Sequence, residues 1–276
     1  MIIEKAGFLG FCPGGKRAVE IAEQNPNSFV TGDAIVYNSF VSERLERDFN
    51  VTAIKNIAEI PDGANAVIRA HGIGKTEEES LQRRGVKIAD ATCPNVKKTH
   101  RIVEELRAEG RHIFILGDPG HPEAAGIKDR AGPNATVISS ATDIDISKIP
   151  ESSALVSQTT KTSREFYAAA QVLSEHSRDF IKFDTICPNT RLNQAAAVEL
   201  AKKCDIMIII GGARSTNTKM LGQIVGEFCP RVHIVESASD IKPEWFVGKK
   251  RCGIAAGLST PNGVVDDVEY TIRQLA

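Results

Sequence analysis

The stretch DATCPNVKKTHRIVEEL, residues 90–106, decides how this chain is read. The apolar run VKIAD leads into Thr92 and Cys93, and Pro94 opens a basic segment with helical periodicity. Proline suits the first position of a helix, because the N–H it lacks would have no partner there. The segment therefore reads as strand, tight turn and helix, with Cys93 at the helix N-terminus. The helix dipole places partial positive charge at that end. A thiol in that field favours the thiolate, the form that attacks electrophiles or binds metal.

The same unit occurs twice more, and internal repetition of this kind organises a fold. GFLGFCPGGKRAVEIAE (residues 7–23) carries Cys12 and Pro13, and FIKFDTICPNTRLNQAAAVELAKK (residues 180–203) carries Cys187 and Pro188. Each has an apolar lead-in, Cys-Pro, a Gly or Asn, and a basic residue four places after the cysteine: Lys16, Lys97 or Arg191. Cys229-Pro230 repeats the dipeptide in reversed context, with a helical pattern before it and the strand-like VHIVES after it. It reads as punctuation.

The 276 residues are enough for a full core and for two or three subdomains. Hydrophobic residues at 42% and charged residues at 25% describe an ordinary globular chain. A formal net charge of −1 gives no reason to expect nucleic acid or a membrane surface as partner. Aromatic residues at 5% argue against base-stacking platforms. No apolar run approaches a membrane span. The opening MIIEKAGFLGFC lacks a basic n-region and a long apolar h-region, so a cytoplasmic protein is expected. In that setting six cysteines favour metal or catalytic roles over a disulfide framework.

Strand-like and helix-like patterns alternate along the chain, which predicts an α/β fold with mostly parallel sheets. Residues 31–49, TGDAIVYNSFVSERLERDF, read as a strand and then a helix. ANAVIRAHGIG (64–74) is a strand ending in the glycine-flanked His71, and RHIFILGDPGHPEAAGI (111–127) is a strand leading to Gly117, Gly120, His121 and Glu123. SALVSQTTKTS (153–163) ends in Gln158, Thr159 and Thr160. CDIMIIIGGARSTNTKMLGQIV (204–225) leads to Gly211, Gly212, Ser215, Thr216 and Asn217, and CGIAAGLSTP (252–261) to Ser259 and Thr260.

Open parallel sheets bind ligands beyond the carboxyl ends of their strands. Hydroxyls, amides and glycine backbones at helix starts cradle anions. His71, His121, Ser215, Thr216, Asn217 and Ser259 have the chemistry for a diphosphate, although each alone would serve as a cap or turn residue. HGIGKT is no phosphate loop, because the glycine it requires falls at Arg69. His100, His112, His176 and His233 read as structural or solvated. Cys204 and Cys252 open apolar strands and read as small hydrophobes. Three thiolates from three equivalent turns would suit zinc or an iron–sulfur cluster, or remain unliganded in the core. Structural zinc takes four protein ligands, commonly in close pairs, and no CxxC pair exists here. A [4Fe–4S] cluster held by three thiolates leaves one iron open as a Lewis acid.

GFCPGGKRAVE, RAHGIG, DATCPNVKKTH, GHPE, SQTT, CPNT, Ser215-Thr216-Asn217 and AGLSTP follow one another in an order that resembles the 4-hydroxy-3-methylbut-2-enyl diphosphate reductase family. The resemblance covers nearly the whole chain. It implies a trefoil of three similar α/β subdomains around a central [4Fe–4S] cluster, held by Cys12, Cys93 and Cys187. The subdomains would be 13–93, 94–186, and 1–12 with 187–276. It implies reductive dehydroxylation of an allylic diphosphate, with electrons from a ferredoxin or flavodoxin. His71, His121, Ser215, Thr216, Asn217 and Ser259 match the diphosphate-binding positions, Glu123 the proton-delivery position, and Thr159 the residue holding the substrate hydroxyl. The chain departs from the family at Tyr37, a His in a diphosphate-contacting turn elsewhere. It also departs at Asn193-Gln194, usually Arg-Gln, and at Gly15, usually Val. The alternatives are a paralogue reducing another small substrate on the same cluster, or a non-catalytic iron–sulfur sensor.

Overall fold

The computed structural model describes residues 1–275. In chain order the first six strands are β1 (Ile2–Lys5), β2 (Ser28–Thr31), β3 (Val51–Ile54), β4 (Asn65–Ile68), β5 (Lys87–Asp90) and β6 (His112–Leu116). They are followed by β7 (Ala135–Ile138), β8 (Ser152–Ser157), β9 (Asp179–Lys182), β10 (Ile206–Ile210), β11 (Val232–Val235) and β12 (Arg251–Ala256). The α-helices are α1 (Pro13–Glu23), α2 (Ser39–Phe49), α3 (Lys75–Arg83), α4 (Pro94–Ala108) and α5 (Pro122–Ala131). Then come α6 (Ser163–His176), α7 (Pro188–Ala201), α8 (Thr216–Gly226) and α9 (Asn262–Leu275). Among the described residues no helix is long and apolar enough to cross a membrane.

The strands form three four-stranded sheets, ordered β1-β12-β10-β11, β3-β2-β4-β5 and β7-β6-β8-β9. Every pairing between these strands is parallel. The α/β expectation therefore holds, and the sheets share one plan. The second and third sheets each run second, first, third, fourth in chain order. The remaining sheet repeats that order as β11, β10, β12, with β1 from the chain's start in the fourth place. In all three, the fourth strand runs on to a cysteine helix: β5 to Cys93 and α4, β9 to Cys187 and α7, β1 to Cys12 and α1. Proline stands first in each of these helices, as its missing N–H dictates.

The chain divides into two units. One comprises Met1–Lys16, Tyr37–Val41 and Pro188–Ala276, the other Arg17–Val36 and Ser42–Cys187. In the first, strand alternation sends side chains to both faces of the sheet. Ile206, Ile208 and Ile210 pack with Val265, Val268 and Ile272 of α9, while Met207 and Ile209 pack with Leu200 of α7 and with Leu221 and Val225 of α8. β10 is buried at all five positions, as a strand covered on both faces requires. In the second unit, Ile113 and Ile115 of β6 meet Val103 and Leu106 of α4 and Ile127 of α5. Phe114 and Leu116 meet Phe166, Ala169 and Leu173 of α6. The sheet containing β4 has its own core, with Ile60, Ala66, Ile68 and Leu81.

One strand lies elsewhere than the hydrophobic pattern suggests. The strand expected from Thr31 onward is β2, and it ends at Thr31. Gly32 takes a left-handed φ of +88° and turns the chain out of the ladder while its N–H bonds to the Ile54 carbonyl. Ala34, Ile35 and Val36 stay buried without joining a sheet, and the Ile35 carbonyl accepts from the Ala70 N–H.

Candidate active site

In each sheet the order of connection reverses between the first and third strands: β2 and β4, β6 and β8, β10 and β12. A reversal of this kind leaves a crevice at the carboxyl ends. The predicted polar residues lie at these points. His71 follows β4, His121 and Glu123 follow β6, and Thr159 follows β8. Ser215, Thr216 and Asn217 follow β10, and Ser259 follows β12.

In the unit built on the second and third sheets, five predicted residues are joined directly by contacts, and Cys93 is linked to them through its neighbours. Thr159 donates its backbone N–H to Glu123 Oε1 at 2.6 Å and its hydroxyl to Oε2 at 2.9 Å. The Thr159 carbonyl accepts the Cys187 N–H at 3.0 Å. Asn95, at the start of the Cys93 helix, donates its side-chain amide to Cys187 Sγ at 3.2 Å. The Cys93 N–H bonds to the Ala70 carbonyl, one residue before His71. The imidazoles of His71 and His121 meet edge to face, with centroids 5.3 Å apart. His121 is the N-cap of α5, and its Nδ1 accepts the Glu123 N–H at 3.1 Å. That bond leaves the His121 ring proton on Nε2 in the neutral form.

Burial governs the charges here. Glu123 is 1% exposed, and desolvation pushes its carboxyl up to about 7 against the lowering effect of the two Thr159 hydrogen bonds. Desolvation holds His121 down at about 4 and His71 well below its ordinary value, with His121 and Arg69 adding to the effect on His71. Near neutral pH the site therefore presents a carboxyl able to hold a proton beside two neutral imidazoles. Strongly shifted groups of this kind cluster at functional sites.

The other unit brings together Cys12, Tyr37 and the hydroxyl residues. The Cys12 N–H bonds to the Leu258 carbonyl, and the next residue, Ser259, donates its hydroxyl to the Tyr37 carbonyl at 3.1 Å. Ser215 caps α8 by accepting the Thr218 N–H. Asn217 Nδ2 is buried and, among the described residues, without a hydrogen-bond partner, as an anion-binding amide would be before its ligand arrives. The Arg214 guanidinium lies 5.7 Å from the Tyr37 ring centroid. Cys12 Sγ accepts the Gly15 N–H at 3.3 Å. A Cβ on Gly15 would lie 2.9 Å from the Phe11 ring, so the glycine makes room for that ring. Asn193 is fully buried and donates to the carbonyls of Phe8 and Ala256, which ties the approach to Cys12 to the end of β12. The roles of Asn95, Asn193 and Arg214 were not predicted from sequence. Each depends on a partner far along the chain, and only the helix-start position of Asn95 was visible beforehand.

Gly212 gives a direct test of this packing. A Cβ there would stand 2.6 Å from the Tyr37 carbonyl oxygen, a backbone atom that cannot move aside alone. Gly212→Ala should lower stability by about 1–3 kcal/mol, read as an earlier thermal unfolding midpoint. An unchanged midpoint would mean that the Tyr37 turn does not press on Gly212.

Each of the three thiols has surroundings that suit a thiolate ligand to iron. Cys93 precedes the first residue of α4 and makes no side-chain capping bond. Cys12 and Cys187 each accept an N–H on sulfur, an interaction that tunes iron–sulfur sites. Among the described residues no three His, Cys, Asp or Glu side chains close on a metal-ion site. In a cluster each thiolate holds a separate iron, so that spacing is not required.

A family model described as LytB protein matches residues 3–273. The chain is 42% identical over 275 residues to 4-hydroxy-3-methylbut-2-enyl diphosphate reductase of Helicobacter pylori (strain Shi470), with all of both chains covered. It is 43% identical over 278 residues to the enzyme of that name from Nautilia profundicola, again with full coverage. A solved reductase structure from Plasmodium falciparum superposes with a TM-score of 0.89 at 25% identity, over 99% of this chain and 87% of that one. A second solved structure, described as the terminal enzyme of the non-mevalonate pathway, gives 0.69 at 33% identity over 99% and 100%. With its three sheets of one plan and three helix-start cysteines, matched over nearly its whole length, this chain belongs to the LytB protein family.

Proposed function

We propose that this chain is a 4-hydroxy-3-methylbut-2-enyl diphosphate reductase. The overall reaction breaks the allylic C–O bond, takes up two electrons and two protons, and releases water with isopentenyl or dimethylallyl diphosphate. The observation that carries this reading is the buried Glu123–Thr159 pair, joined through the Thr159 carbonyl to Cys187.

The ligands we propose are Cys12, Cys93 and Cys187, and a [4Fe–4S] cluster held by them supplies the electrons and a Lewis-acidic iron. Glu123 keeps a proton on its carboxyl and gives it up as the C–O bond breaks. Thr159, anchored to both carboxyl oxygens, orients the substrate hydroxyl. His71, His121, Ser215, Thr216, Asn217, Ser259 and the Tyr37 turn hold the diphosphate, and that remote binding energy aligns the reacting carbon. Electrons arrive from a ferredoxin or flavodoxin. A non-catalytic sensor would have no use for a buried proton donor. Tyr37 is the feature that favours a relative with another small substrate.

Calorimetric titration with the diphosphate tests the binding half, since a sensor or a paralogue with a different substrate would take it up weakly or not at all. Tyr37→His sharpens this test. A protonated His offers a charged hydrogen bond worth about 1.5–3 kcal/mol against roughly 1 for a neutral one. The gain, about 1 kcal/mol or slightly more, corresponds to nearly tenfold in affinity. It should appear below about pH 6.5, the ordinary His value, and fade as pH rises. Loss of the Arg214 contact with the Tyr37 ring subtracts part of it. Equal affinity of the two proteins at pH 5.5 and pH 8 would remove residue 37 from the diphosphate site.

A further inference from the structure

We propose that Lys161 is a positioning residue for this reaction: its buried ammonium ties the turn ahead of Glu123 to the turn carrying Thr159, and so sets how firmly Glu123 keeps its proton. The inference rests on the reading of Glu123 as proton donor. Lys161 is 3% exposed, an unusual place for a lysine. Its Nζ donates to Asp118 Oδ1 at 3.3 Å and to Glu165 Oε1 at 3.1 Å. Asp118 follows β6 and precedes Glu123 by one short turn. Its N–H is bonded to the Gln158 side-chain oxygen at 2.9 Å, and Gln158 Nε2 donates to the Thr160 hydroxyl at 2.9 Å. Glu165 closes the cap of α6, accepting from the Thr162 N–H and hydroxyl. One cation thus joins the β6 turn, the β8 turn and the start of α6.

A buried charge must be compensated, and one left alone perturbs its neighbours. Two carboxylates share the one ammonium, and the Asp118 charge raises both Glu123 and His121. The other groups around Glu123 are His121 on its own helix, His71 against His121, and Arg69 and Asp33, whose fields reach His121. Removing the Lys161 charge takes away the cation beside the partly exposed Asp118 and so strengthens the hold of Glu123 on its proton. Removing the Asp118 charge weakens it.

The test uses anaerobically prepared, cluster-bearing protein and infrared titration of the protonated carboxyl band, which Glu123→Gln identifies by its loss. The pH profile of kcat is recorded alongside. The wild-type midpoint is expected near 7. Lys161→Met should move it up, and Asp118→Asn down, by a few tenths of a pH unit each. Lys161→Arg should leave it at the wild-type value. A midpoint that stays fixed while kcat falls would make Lys161 ordinary scaffold and overturn the proposal. If Lys161→Met does not fold, Asp118→Asn decides alone, because Lys161 keeps its Glu165 partner, and a fixed midpoint there overturns the proposal equally. An active Glu123→Gln would instead sink the proton-donor reading, while the band shifts still report whether Lys161 tunes that carboxyl.

Discussion

Glu123→Gln is expected to bind the diphosphate nearly as the wild type does and to turn it over roughly 10²–10⁴-fold more slowly. The substitution keeps shape and burial. A neutral amide can still accept the Thr159 N–H through its oxygen while its NH2 donates to the Thr159 hydroxyl, so the geometry of the pair is largely retained. What is lost is a transferable proton. A group that acts only in the transition state lowers kcat and kcat/KM together and leaves substrate affinity in place. The pH dependence follows from burial. The folded carboxyl is raised to about 7, so it is protonated below that value and ionised above it. The rate should therefore fall as pH rises through 7, approaching tenfold per pH unit. Full activity in the Gln variant, or a rate indifferent to pH between 6 and 9, would move the acid to another residue.

Serine at Cys12, Cys93 or Cys187 should strip most of the iron from anaerobically purified protein, which should otherwise carry about four irons per chain. Serine at Cys204, Cys229 or Cys252 should leave the iron in place. The structure separates the two groups physically. Cys252 is fully buried, its sulfur faces the Gly253 carbonyl at 3.8 Å, and burial pushes its thiol up to about 12. Cys204 is pushed up to about 11 in the same way. Cys229 is fully buried and directs its sulfur at the carbonyls of Cys204 and Arg231. Cys204 and Cys252 keep their protons, and all three cysteines behave as small hydrophobes. The other three stand beside the prolines that open α1, α4 and α7, where Cys12 and Cys187 accept N–H groups on sulfur. Metal analysis and the visible absorption of all six variants check the assignment. Equal iron loss in both groups would overturn it.

Much of this architecture was legible because the chemistry is repeated in short words. Cys-Pro followed by a basic helical run announces a helix start wherever it occurs, and polar residues after apolar runs announce strand ends. The limits of β2 were misread because Ala34, Ile35 and Val36 are as apolar as a strand, and only the left-handed turn at Gly32 takes them out of the sheet. The place of β1 beside β12 joins the two ends of the chain, and no local pattern encodes such a partner. The same holds within the site. Glu123 and Thr159 could be named from their motifs, but the raised carboxyl depends on burial created by distant elements. Asn95 against Cys187, Asn193 between Phe8 and Ala256, and Lys161 between Asp118 and Glu165 are contacts of the folded chain, and polar residues of these types are too common in sequence to signal them.

The central claim is that this chain removes the hydroxyl of an allylic diphosphate. The most direct measurement is anaerobic turnover of 4-hydroxy-3-methylbut-2-enyl diphosphate by the iron-loaded protein, with an artificial one-electron reductant and products identified by mass spectrometry. The account predicts isopentenyl and dimethylallyl diphosphates, two electrons consumed per product, and loss of this activity in Glu123→Gln. Iron-loaded protein that binds a full complement of iron yet leaves the diphosphate unchanged, in both the wild type and Tyr37→His, would contradict it.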